Sequence, residues 1–126
     1  MAKYGNQGLD HVAIAVSDVD RSQRFYADVL GLERAHAEWD VPVVMAANGT
    51  GIAIFDKALH AGDGESTPDV RILHIAFRVD RDGLERAQVE LAERGLRPRF
   101  SDHGISHSLY FNDPDGHQLE LTTYEV

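Results

Sequence analysis

The sequence predicts an α+β fold in which a strand–helix–three-strand unit occurs twice. Three observations predict it. LDHVAIAVSD, at Leu9 to Asp18, resembles ILHIAFRVDR, at Ile72 to Arg81, and laying His11 on His74 gives an offset of 63 residues, half of a 126-residue chain. After each copy comes a helix-period run that ends in Gly-Leu, at Gly31-Leu32 and again at Gly95-Leu96. Each of those is followed by short strand-like runs bounded by turn residues.

The first strand is expected near residues 10–16. The helix after it, residues 20–30, can be capped by Asp18 or Asp20 and closed by a left-handed Gly31, with Phe25, Tyr26, Val29 and Leu30 as its apolar stripe. Strands near 33–38, 41–46 and 51–55 complete the first module, about residues 8–56. Gly62, Gly64, Ser66, Thr67 and Pro68 mark a linker over about residues 57–70. The second module, about residues 71–126, has a strand near 72–79 and a helix near 82–94 with Leu84, Ala87 and Leu91 inward. Strands near 97–101, 108–111 and 118–124 follow, the last two joined by the turn Asn112-Asp113-Pro114-Asp115-Gly116. Neither module is expected to stand alone, because each exposes a sheet edge and an apolar face; the whole chain reads as one domain.

Composition narrows the function. Twelve Lys and Arg against twenty-one Asp and Glu give a net charge of −9, which disfavours a nucleic-acid or anionic-membrane partner. With no cysteine there is no disulfide, thiolate metal site or thiol nucleophile. The polar start MAKYGNQGLD has no apolar leader core, and no apolar run is long enough to span a bilayer, so a cytoplasmic location is the expectation. Seven histidines in so short a chain raise the question of whether they converge.

Strand alternation answers in part. In the first strand Val12, Ile14 and Val16 share one face, and His11, Ala13 and Ala15 the other; in its repeat Ile75, Phe77 and Val79 oppose His74, Ala76 and Arg78. The large apolar residues must cover the helix. The opposite face then carries a histidine beside small alanines in both copies, which leaves room for a cavity. In the last strand Glu120 points to that same side, and in the strand before it so do Ser108 and Tyr110. His11, His74 and Glu120 therefore form a candidate ligand set for a divalent metal. Two imidazoles and a carboxylate with open positions suit Fe(II) or Mn(II), with Zn(II) or Ni(II) as alternatives. A lone strand histidine is ordinarily just a hydrogen-bonded residue; the matched pair and the carboxylate raise this one above that reading. His36 and His60 read as solvated, and His117 as a turn residue.

The segments GLDHVAIAVSDVDRSQRFYADVLGL (8–32), LHIAFRV (73–79) and SLYFNDPDGHQLEL (108–121) resemble the vicinal oxygen chelate superfamily, which includes glyoxalase I, extradiol dioxygenases, fosfomycin-resistance thiol transferases and bleomycin-resistance proteins. The resemblance implies paired βαβββ modules forming curved mixed sheets around a cavity, the glyoxalase-like fold. It carries His11, His74 and Glu120 onto the metal-ligand positions and implies a homodimer, often with modules exchanged between chains. Glyoxalase I, the lactoylglutathione lyase, resembles this layout with an added glutamate from the last strand of the first module. Here that strand reads Gly51-Ile52-Ala53-Ile54-Phe55, with Asp56 at its end, which disfavours the lyase. The drug-binding bleomycin-resistance type needs no histidine pair.

Among the remaining chemistries the sequence favours an Fe(II)- or Mn(II)-dependent, extradiol-dioxygenase-like enzyme acting on a small aromatic diol or related oxygenated substrate. Tyr110 lies ten residues before Glu120, the spacing at which extradiol enzymes similarly carry a site tyrosine; His103 and His107 precede it as candidate proton carriers. The alternatives are a drug-binding, antibiotic-resistance protein of the bleomycin-resistance type, using the same pocket with or without metal, and a fosfomycin-type thiol transferase. Thiol transfer is disfavoured here because the first strand offers Ala13 and Ala15, where the resembling enzymes have a threonine, and because the loop from Phe100 to His107 has no lysine or arginine for a phosphonate. Arg78, Arg97 and Arg99 are nearby in sequence.

Overall fold

A computed structural model describes residues 2–59 and 70–126. His60 and most of the expected linker lie outside them. The chain divides into two compact units, Met1–Asp63 and Gly64–Val126. The first holds β1 (His11–Val16), α1 (Val19–Leu30), β2 (Glu33–Ala35), β3 (Val43–Ala47) and β4 (Thr50–Asp56). The second holds β5 (Ile75–Arg78), α2 (Arg81–Glu93), β6 (Arg99–Asp102), β7 (His107–Asn112) and β8 (Gln118–Thr123). The sheets run β1-β4-β3-β2 and β5-β8-β7-β6. In each, the first strand pairs in parallel with the last and the other pairs are antiparallel. The repeated strand–helix–three-strand reading is what forms: an α+β chain with two four-stranded mixed sheets.

Local chemistry explains the elements. Asp18, rather than Asp20, caps α1, its carboxylate accepting the Arg21 N–H at 3.0 Å. Gly31 ends α1 at φ 67°, with its N–H on the Ala27 carbonyl and that of Leu32 on the Tyr26 carbonyl. Asp80 caps α2 by accepting the Gly83 N–H at 2.6 Å. Tyr26 on α1 and Leu84 and Leu91 on α2 are buried, and each helix packs on the last strand of its own sheet and that strand's antiparallel neighbour. Asn48 and Gly49, at φ 53° and 82°, join β3 to β4 with Ala47 opposite Thr50, the two-residue turn whose twist matches a hairpin.

Two strands differ most from expectation, each several residues shorter. The one near 33–38 stops at Ala35, because His36 takes φ 53° and its carbonyl accepts the Trp39 N–H to form a turn. The one near 72–79 is paired only over Ile75–Arg78, since its ladder with β8 starts at Ile75 opposite Leu119. Ile72 and Leu73 stay exposed. The alternation holds: Ile14 and Val16 are buried while His11, Ala13 and Ala15 are exposed. Among the described residues no helix is long and apolar enough to cross a membrane.

Candidate metal centre

The second sheet brings several of the candidate residues together. Its register sets Ala76, Glu120, Tyr110 and Arg99 side by side on β5, β8, β7 and β6, so their side chains leave the same face. That face is opposite to the one on which Leu109, Phe111, Leu119 and Leu121 are buried. The spacing of β6 from β7 comes from a four-residue loop, in which Asp102 Oδ1 accepts the Gly104 N–H and the His103 N–H reaches the Ser106 carbonyl.

Glu120 is 7% exposed and yet keeps its polar partners. His74 Nε2 stands 3.1 Å from Glu120 Oε1. The Ser108 hydroxyl donates to Glu120 Oε2 at 2.6 Å. Two ligands about 2.1 Å from an ion and at right angles to one another stand about 3.0 Å apart. The His74–Glu120 separation fits that arrangement, and the oxygen that Ser108 leaves is the one facing the imidazole. In the first unit His11 Nδ1 is 2.7 Å from Asp10 Oδ2. A carboxylate that accepts from Nδ1 would leave the Nε2 lone pair free. The donors thus suit a divalent metal. Among the described residues of one chain no three His, Asp or Glu side chains gather into a ligand group.

The other expected site residues divide. The Tyr110 hydroxyl is hydrogen-bonded to His103 Nε2 at 3.1 Å, its ring meets the edge of His74 at 5.7 Å, and the Arg99 guanidinium lies 5.3 Å from the ring centre. Burial, above all, holds the Tyr110 phenol above its ordinary pKa; the charge of Glu120 and a hydrogen bond to it add to this, while Arg99 and Ser108 pull the other way. His107 goes elsewhere. It alternates with Ser108 onto the helix side, 3.5 Å from Asp102 Oδ1 and edge-on to Phe100, beside a cleft of about 470 Å³ that also involves Leu84, Gln88 and Thr123. Asp56 Oδ1 accepts the Ala58 N–H, an ordinary turn role. His36 stacks on Trp39, and the His117 N–H bonds to Asp113 Oδ1. Two residues gain weight over the sequence reading. Arg99 was only near in sequence until the β6–β7 register set it opposite Tyr110. Ser108 had a direction but no role.

Residues 8–121 match the family described as the Glyoxalase/Bleomycin resistance protein/Dioxygenase superfamily. The chain belongs to this superfamily. It is 30% identical to a glutathione transferase FosA of Serratia marcescens over 116 residues, covering 91% of this chain and 79% of that protein. It is 32% identical to a metallothiol transferase FosB of Bacillus licheniformis (94% and 77% covered). Against a biphenyl-2,3-diol 1,2-dioxygenase 3 of Rhodococcus globerulus it is 31% identical, with 90% of this chain but only 61% of that protein covered. Among solved structures, the fosfomycin resistance protein FosX of Mesorhizobium loti superposes with a TM-score of 0.68 at 26% identity, over 94% of this chain and 93% of the other.

Proposed function

We propose that this superfamily member is a divalent-metal-dependent transferase that joins a small thiol to an epoxide bearing a phosphonate, and that His11, His74 and Glu120 hold the ion. The observation that carries the reading is Arg99. The phosphonate is an anion that needs a cation, and Arg99 stands in the same cross-strand row as Glu120, lying over Tyr110. The loop without Lys or Arg, from Phe100 to His107, begins one residue after Arg99. The fosfomycin-resistance relatives weigh on the same side.

In the overall reaction the thiol sulfur bonds to an epoxide carbon, the C–O bond breaks, and the thiol proton ends on the freed oxygen. Arg99 holds the phosphonate by charge-assisted hydrogen bonds. Tyr110, a phenol on the same cross-strand row as Glu120, donates its hydroxyl proton to a substrate oxygen. His103 fixes the direction of that hydroxyl. A bound divalent ion supplies Lewis acidity at an oxygen of the substrate.

The test follows phosphorus. Mn(II)-loaded protein with fosfomycin and glutathione or cysteine is expected to give a new phosphonate signal by ³¹P NMR, with kcat/KM at least about tenfold lower in Arg99→Gln. No turnover with either thiol contradicts the reading. The His103–Tyr110 pair and the dioxygenase relative support a second reading, ring opening of an aromatic diol by O₂. Oxygen uptake by the Fe(II) form with catechols, and no reaction with fosfomycin, selects it.

A further inference from the structure

The face that carries Glu120 also carries two buried hydroxyls with no assigned task. Ser108 is fully buried and Thr122 is 9% exposed. Ser108 Oγ lies 2.6 Å from Glu120 Oε2 and 3.0 Å from Thr122 Oγ1, while Thr122 Oγ1 reaches the His107 carbonyl only at 3.5 Å. Each hydroxyl has one proton to give, and an ionised carboxylate only accepts. The shortest contact therefore takes the Ser108 proton to Glu120. With that proton committed, Ser108 can only accept from Thr122, which directs the Thr122 proton to Ser108 in preference to the 3.5 Å carbonyl contact. Both protons point one way along the row, and chained hydroxyls of this kind strengthen one another.

We infer that Thr122 and Ser108 form a one-way hydroxyl relay that locks the Glu120 carboxylate, engaging Oε2 and reserving Oε1 for the ion beside His74. This rests on the metal reading above. The two are positioning residues, since neither needs to touch the substrate. The strand pattern supports the relay's rigidity. Ser108 and Thr122 are register partners on β7 and β8, and Glu120 is two residues along β8, so all three directions are fixed by the ladder.

Manganese binding tests it independently of turnover. Chelator-stripped protein is titrated with Mn(II) and followed by electron paramagnetic resonance and calorimetry. Wild type is expected to bind about one ion per chain. Ser108→Ala should bind about 10- to 100-fold more weakly, the usual cost of losing a group that orients a ligand. Ser108→Thr, which keeps a hydroxyl, should stay near wild type. Thr122→Val, which keeps the shape and removes only the outer donor, should fall between, with an unchanged melting temperature; it decides the matter if Ser108→Ala does not fold. Equal Mn(II) affinity in wild type, Ser108→Ala and Thr122→Val overturns the relay and leaves the metal reading standing. A wild-type chain that binds no Mn(II) overturns the metal reading and the relay together.

Discussion

At the scale of single residues, Tyr110 has the most constrained surroundings. It lies between His103, His74 and Arg99, with Glu120 as its register partner. Tyr110→Phe removes only the hydroxyl and is expected to lower kcat by roughly 10²-fold under either chemistry, the usual contribution of a positioned proton donor. Its raised pKa has a stability consequence in the metal-free protein. The unfolded phenol ionises near 10 and the folded one higher, so the stabilisation is fully present below about pH 10 and is lost as pH rises through the folded value. Denaturant titrations from pH 9 to 11.5 should show a smaller alkaline loss in Tyr110→Phe than in wild type; equal losses contradict the assigned environment. Alternation alone placed Ser108, Tyr110 and Glu120 on one face and His74 on its counterpart. What it could not supply was register. His107 and His103 are both histidines near one loop, but the Asp102–His107 pairing turns the first toward the helix and lets the second reach Tyr110.

At the scale of elements, the repeat gave the order of strands and helices because each copy carries its own caps and its own Gly-Leu exit. Strand ends were the poorly legible part. A strand stops where its neighbour stops or where the backbone turns positive, as at Ile75 and His36, and neither is visible in a local pattern. The β3–β4 hairpin depends on close backbone contact. A Cβ on Gly51 would collide with the Met45 carbonyl oxygen and stand 2.9 Å from the Ala46 Cβ. Gly51→Ala should therefore destabilise the protein by about 1–3 kcal/mol, as overpacking does, read as a lower urea midpoint at unchanged slope. Asp18→Ala should cost about 1 kcal/mol through loss of the α1 cap. A glycine replacement with no effect would mean the hairpin relaxes more freely than its geometry implies.

At the scale of the whole molecule, both sheets end in a strand, β1 or β5, that pairs on one side only within its sheet. Just before each stands an exposed apolar residue at the matching repeat position, Leu9 at 67% and Ile72 at 72%, with Leu73 at 64% beside the latter. Strands with one partner in their own sheet, flanked by exposed apolar residues, favour association, so the chain is expected to run as a homodimer, twice its 14.0 kDa mass, by light scattering at micromolar concentration. Leu9→Ser with Ile72→Ser should shift it toward the monomer; a wild-type monomer contradicts the assignment. Family membership was legible across residues 8–121, because the helix, turn and strand motifs persist throughout that span. The chemistry was less legible, since those same motifs serve thiol transferases and dioxygenases alike. The choice turns on side chains such as Arg99, whose position depends on pairing. Underneath both chemistries lies the claim that His74 and Glu120, with His11, hold one divalent ion. Elemental analysis of protein purified without oxygen, chelator or nickel resin tests it directly. The wild-type chain is expected to hold about one divalent transition-metal ion and Glu120→Ala nearly none; a wild type empty of metal, or a Glu120→Ala variant that retains it, overturns the three-ligand assignment.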